Sequence, residues 1–270
     1  MKIIYYEKKN IFLLIFFCYL ITISVRGQNK VINSNESGNL ILSEYSQKFF
    51  DENGVVRCAS VEMHQRRVQR NSSAPNMIEF ENWLAPLVLS KKNKMLSSSF
   101  NNIIVNIPVV FHVISSGFGP TNLSASIIHA QIDQLNIDIN NLAGSTNPVA
   151  YSADINFIPA VIDPDGNLLE EFGINRVNSF GNGPFPTSDF DAGDGGLEIK
   201  PATIWDRSKY VNIWTANISG GILGYAQFPS NSTLPGFPAY GGSELNDGVV
   251  IGYGTVGSVA NPGSGAPFNL

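Results

Sequence analysis

The sequence predicts an α+β fold: a mixed, twisted sheet of about five strands with one long helix. Three observations carry this. The run IIVNIPVVFHVI, residues 103–114, is rich in β-branched residues and bounded by Asn and Ser-Ser-Gly, as a buried strand is. Ile128, Ile132, Leu135, Ile139 and Leu142 recur at helical spacing and form one apolar stripe. After residue 150 the pattern turns to short apolar runs parted by Gly and Pro, with no second helical stripe.

The elements follow in chain order. Lys8 and Lys9 precede the apolar run Ile11–Val25, and Arg26 and Gly27 follow it. A basic region, an apolar core and a small residue at the exit describe a secretory signal peptide over residues 1–27. The run is shorter than the roughly 20 residues that cross a bilayer, so no stable membrane anchor is expected after cleavage. The chain is expected to be secreted. Removing residues 1–27 takes the formal charge from −5 to −8, because they hold Lys2, Lys8, Lys9 and Arg26 against Glu7. An acidic chain has no electrostatic reason to hold phosphate backbones, so no nucleic-acid partner is expected. Cys58 is the one cysteine beyond the signal, and it cannot form an internal disulfide.

Residues 28–100 are polar and helix-leaning, with Arg66, Arg67 and Arg70 and the basic KKNK at 91–94. They predict a loosely packed leader. SSSFNN, 97–102, reads as a linker. The strand at 103–114 opens the second part, 101–270, with Pro108 near its start. The helix follows, with Ser124 or Ser126 as candidate N-cap and Gly144 as its stop. DINFIPAVID, 154–163, is a strand candidate, ended by the turn Asp163-Pro-Asp-Gly-Asn, where proline presets φ and glycine accepts φ > 0. Residues 179–196 read as loop. VNIWTAN (211–217), LGYAQF (223–228) and DGVVIGYG (247–254) are the remaining strands, with a Pro/Gly loop over 229–242. One helix of this length covers part of a five-stranded face, so a second covering helix is missing from the pattern.

Several constellations can be weighed for chemistry. His112 on the first strand and His129 on the following helix are conceivable as a two-histidine site, but a satisfied core histidine is the commoner outcome. DFDAGDGG, 189–196, invites a Ca²⁺ reading, yet an EF-hand loop counted from Asp189 has Gly193 at its fifth position and Lys200 at its twelfth. A solvated acidic loop is the commoner reading, and a less regular Ca²⁺ site stays open. There is no nucleophile elbow, Walker loop or Rossmann fingerprint.

IPVVFHVI at 107–114, AQIDQLNIDINN at 130–141, NIWTANISGGILGYAQFP at 212–229 and DGVVIGYGTVG at 247–257 together resemble the pappalysin-type (cytophagalysin-like) secreted zinc metalloproteases of the metzincin clan. Arg57-Cys58-Ala-Ser followed by His64 looks like the segment that precedes this catalytic domain. The resemblance implies a prosegment-like leader over 28–100 and a metzincin-like upper subdomain over 101–270. Its catalytic signature is H-E-x-x-H-x-x-G-x-x-H: two histidines share a helix face, a third follows a glycine turn, and the glutamate works on a zinc-polarised water. No H-E-x-x-H occurs in these 270 residues. The expectation is therefore an N-terminal portion that ends before the zinc helix, inactive as written, with no catalytic residue to assign. Zn²⁺ belongs to the full-length family and is not expected to bind this chain.

Two features carry over by resemblance. The strand Leu223, Gly224, Tyr225, Ala226 and Gln227 corresponds to the edge that binds an extended peptide or protein substrate antiparallel by main-chain hydrogen bonds, with Gly221 and Gly224 allowing close approach. The alternative is an ordinary edge strand flanked by protective prolines. Cys58 corresponds to a latency thiol, whose thiolate silences a proenzyme by taking the water's place on zinc. A different functional class also stands: an exported, non-catalytic binding domain on a degenerate metzincin sheet. It predicts a cooperative thermal transition, which a fragment with an uncovered sheet face would lack.

Overall fold

A computed structural model describes residues 40–70, 77–97, 104–147, 150, 152–227 and 244–264. The signal segment, the 97–102 linker beyond Ser97 and the whole 229–242 loop lie outside them.

The long strand β1 (Val105–Ile114) organises the fold. Its residues alternate between two apolar faces, as a strand buried on both sides does. Val109, Phe111 and Val113 face one cluster, while Ile114 enters another and Val110 a third. From β1 the chain crosses over through α4 (Ala125–Ile139) to β2 (Ile155–Pro159), which pairs parallel to the first half of β1. β3 (Ile174–Val177) then pairs parallel to the second half, along the same edge. β4 (Val211–Ala216) takes the other edge of β1. β6 (Val249–Gly252) lies parallel to β4, and β5 (Gly224–Ala226) closes the sheet antiparallel to β6. The result is a six-stranded mixed sheet in the order β2-β1-β4-β6-β5, with β3 also on β1.

The α+β class and the mixed sheet agree with the sequence reading, and three details differ. β3 is an additional strand. The helix ends at Ile139 with Asn140 as its C-cap, well before Gly144, and Leu142 is exposed. The cause is tertiary: the Asn140 side-chain amide donates to the Ile155 carbonyl at 2.6 Å, and Asn141 takes a left-handed φ of 52°. The 179–196 stretch is not plain loop either, since Thr187–Asp189 forms a 3₁₀ turn and α5 (Ile199–Thr203) follows it.

The larger correction concerns the leader, which is not loosely packed. Before α3 (Met77–Ser97), α1 (Glu44–Asn53) and α2 (Ser60–Arg70) lead into the core through the segment between them. Val56, Ala59 and Met63 are buried with Ile114, Trp214, Ile222, Tyr225 and Val250. The leader and the 185–204 stretch thus cover the sheet face opposite α4. On the α4 face, Ile128 and Ile132 pack on β1, β2 and β3, while Val249 and Ile251 of β6 stay half-buried. Among the described residues no helix is long and apolar enough to cross a membrane.

Candidate functional site

β5 is short because Gly220 and Gly221 break the chain before it, both at positive φ. It has β6 on one side. On its other side lies the leader. The Val56 amide donates to the Gly221 carbonyl at 2.9 Å, and the Leu223 amide donates to the Val56 carbonyl at 2.9 Å. The Ala59 amide donates to the Gly224 carbonyl at 3.0 Å, and the Ala226 amide donates to Ser60 Oγ at 2.9 Å. The bridge between Val56 and Ile222 is parallel. A segment of this chain therefore adds to the β5 edge by main-chain pairing, the geometry of β-augmentation.

The two glycines play different parts. A Cβ on Gly221 would stand 2.8 Å from the Gly54 carbonyl oxygen, so this glycine permits the close approach of the leader. A Cβ on Gly224 would stand 2.8 Å from the Val250 carbonyl, so that glycine serves the sheet itself.

Within the strand, Tyr225 points into the core beneath the leader and Ala226 is half-buried. Gln227 is buried, and among the described residues its side-chain amide finds no hydrogen-bond partner. Cys58 sits on the leader between Val56 and Ala59 but faces outward; its thiol lies 3.3 Å from Ser60 Oγ.

Sequence reasoning missed the floor of this site. Lys200, fully buried, places its Nζ 2.8 Å from Asp191 Oδ1 and donates to the Asn246 carbonyl at 3.2 Å. The same ammonium stands 5.0 Å from the Tyr225 ring and 5.5 Å from the Trp214 ring. The loop read as solvated acid is therefore partly internal. Asp191 is buried in that ion pair, and the Ala192 amide donates to Asn246 Oδ1 at 2.7 Å. Nothing in the spacing of DFDAGDGG reveals this, because the partner lysine follows the loop and is hidden by the fold.

The two histidines do not meet. His112 belongs to the face opposite α4, which carries His129. His112 Nε2 lies 2.8 Å from Asn212 Oδ1 and Nδ1 lies 2.9 Å from Asn175 Nδ2, while His129 Nε2 lies 2.9 Å from the Phe172 carbonyl. Both ring nitrogens of His112 are committed, so it is a core histidine. Among the described residues no group of three or more His, Cys, Asp or Glu side chains could hold a metal ion, so they do not fit a zinc site.

Neither a protein-family profile nor a curated protein sequence matches the chain. Solved structures do. A point mutant of Tannerella forsythia promirolysin matches with a TM-score of 0.50 and 26% identity, over 78% of this chain and 64% of that one. The fold is metalloprotease-related. Mature mirolysin of the same organism, in complex with a cleaved peptide, gives a TM-score of 0.46 at 29% identity, over 62% of this chain and 58% of that one. Mirolysin in complex with compound 9 gives 0.45 at 30% identity, over 61% and 57%. The chain spans about three-fifths of the length of these structures.

Proposed function

We propose that this chain carries the leader and the peptide-binding edge of a secreted, pappalysin-type zinc endopeptidase. The observation that carries the reading is the leader strand paired on β5. An edge that accepts one extended segment by backbone bonds has the donors and acceptors to accept another. The leader runs parallel to β5, whereas substrates in this family by resemblance run antiparallel. A segment laid in reverse fills the edge without presenting its peptide bonds in the productive direction. The promirolysin match adds support: it covers 78% of this chain, more than the roughly 63% that residues 101–270 make up, so it reaches into the leader.

In this reading residues 1–27 are the export signal, 28–100 the prosegment and 101–270 part of the catalytic unit. Leu223, Gly224, Tyr225, Ala226 and Gln227 receive peptide. Cys58, outward-facing beside that edge, is the latency thiol. These 270 residues contain no H-E-x-x-H, so hydrolysis requires ligands that they do not supply.

The test uses a Val56→Pro variant, which removes the amide that donates to Gly221. An extended peptide of alternating valine and threonine is expected to shift the Leu223 and Ala226 amide resonances of that variant. No shift at either amide overturns the edge assignment. Zinc-dependent cleavage of casein by the purified chain would overturn the assignment of the zinc ligands elsewhere.

A second reading, an exported non-catalytic binding domain, is favoured by one observation. The sheet face opposite α4 is closed by the chain's own residues, with Trp214, Ala216 and Val250 fully buried. Both readings use the same edge, and they part on whether hydrolysis ever occurs there.

A further inference from the structure

Besides the buried apolar packing of Val56, Ala59 and Met63, two sets of polar contacts tie the leader to the rest of the chain. One is the backbone pairing of Val56, Ala59 and Ser60 with β5. The other lies further along α2, where Arg66 reaches the 187–198 loop. Its Nη1 donates to Thr187 Oγ1 at 3.0 Å and stands 3.6 Å from Asp194 Oδ2. Thr187 is buried, and the Arg66 and Asp194 side chains are largely shielded.

The loop that receives Arg66 is rigidly founded. Asp191 pairs with Lys200 beneath Tyr225, and the Gly193 amide donates to Glu198 Oε1 at 3.0 Å. Asp189, Asp191, Asp194 and Glu198 make the loop acidic, and Arg66 comes from the basic cluster of α2. The pairing on β5 is short, a few hydrogen bonds to a three-residue strand. Such a pairing needs other contacts to fix the segment, and these are the buried Val56, Ala59 and Met63 together with the Arg66 contact. A charge-assisted bond in a shielded setting is the stronger tie.

We propose that Arg66, seated on Thr187 and Asp194, is an autoinhibitory latch: it holds the leader on the β5 edge, and loosening it bares that edge to an extended peptide. The second half of this statement rests on the peptide-binding reading of β5 given above. The first half stands on the contacts alone.

Hydrogen exchange in the full chain separates the two. The Leu223 and Ala226 amides donate to the leader, whereas the Gly252 amide donates to the Leu223 carbonyl inside the sheet. In Arg66→Met, exchange at Leu223 and Ala226 is expected to rise about tenfold or more, the factor that loss of a charged hydrogen bond brings, with Gly252 unchanged. Asp194→Asn, a milder change, is expected to act in the same direction, and the exchanged pair Arg66→Asp with Asp194→Arg to restore protection. Unchanged exchange at Leu223 and Ala226 overturns the latch. So does an equal rise at all three amides, which is general destabilisation. The valine-threonine peptide is then added to Arg66→Met. Renewed protection of Leu223 and Ala226 supports both statements. Continued fast exchange there leaves the latch standing and removes the peptide-binding reading.

Discussion

His112 shows how one residue's surroundings dictate its protonation. The Asn212 side chain cannot turn, because its Oδ1 accepts from the Trp205 amide at 2.9 Å and its Nδ2 donates to the Trp205 carbonyl at 3.1 Å. His112 Nε2 must therefore donate to Asn212 Oδ1, and Nδ1 must accept from Asn175 Nδ2. The ring also stacks on Trp214 at 5.0 Å and meets Trp205 edge-on. A second proton on Nδ1 would face a donor. Burial lowers the His112 pKa to about 4, and the hydrogen bond to Asn212 offsets part of that fall. In the unfolded chain the ring binds its proton near 6.5. Between pH 6.5 and 4 the unfolded chain thus binds more protons. The contribution is complete above 6.5 and is lost as the pH falls toward 4, by about 3 kcal/mol across the window. Urea unfolding at pH 7 and pH 4.5 should show it. Asn175→Asp, which offers the protonated ring an acceptor, should flatten the loss; an identical fall in both proteins would refute the assignment. The core role of His112 was legible from its place between Phe111 and Val113. Its two asparagine partners, from β3 and β4, were not, because sequence separates them by 63 and 100 residues.

The outer edge of β2 is finished by a helix. The Phe157 amide donates to Asn136 Oδ1 at 2.7 Å, and Asn136 Nδ2 donates to the Phe157 carbonyl at 2.9 Å. One turn later Asn140 takes the Ile155 carbonyl. Asn136 on α4 and Asn140 at its C-cap thus stand in for a neighbouring strand and shield an edge that would otherwise invite pairing. Asn136→Leu should cost about 1–3 kcal/mol, since it strands an amide and a carbonyl that are partly buried. Thermal unfolding would show this, and an unchanged midpoint would mean that water replaces the side chain at no cost. The apolar stripe of α4 was legible from periodicity. Its end was not, because Asn140 leaves the helix to serve β2. β3 escaped for a related reason. Its four residues, INRV, hold two polar side chains, and Arg176 is engaged by Glu171 and by the Leu123 carbonyl at 3.0 Å. That fork of bonds holds the Glu171 carboxyl below its usual range. A strand this short, made by pairing with β1 and a side-chain clasp, leaves little apolar pattern to read.

At the scale of the whole molecule, the sheet predicted from residues 101–270 is completed by residues that look like an appendage. The leader contributes Val56, Ala59 and Met63, three apolar residues scattered among charged ones. Their weight becomes visible against the surface of Tyr225, Ile222 and Val250 that they cover. Removing the Met63 side chain should leave a cavity in this shared cluster and cost about 2–5 kcal/mol. Native domains are stable by about 5–15 kcal/mol, so such a loss is large enough to read directly. If leader and sheet fold as one unit, Met63→Ala lowers the midpoint of a single calorimetric transition. If the leader is a separate, weakly held body, the main transition stays where it was and an earlier, small one moves or disappears. The first outcome would mean that release of the leader costs the sheet part of its core, so whatever frees the β5 edge must act locally along 54–66. The Arg66 contact lies within that stretch, on the same α2 helix that inserts Met63, which is why a side-chain tie there can control the edge without unfolding the sheet beneath it.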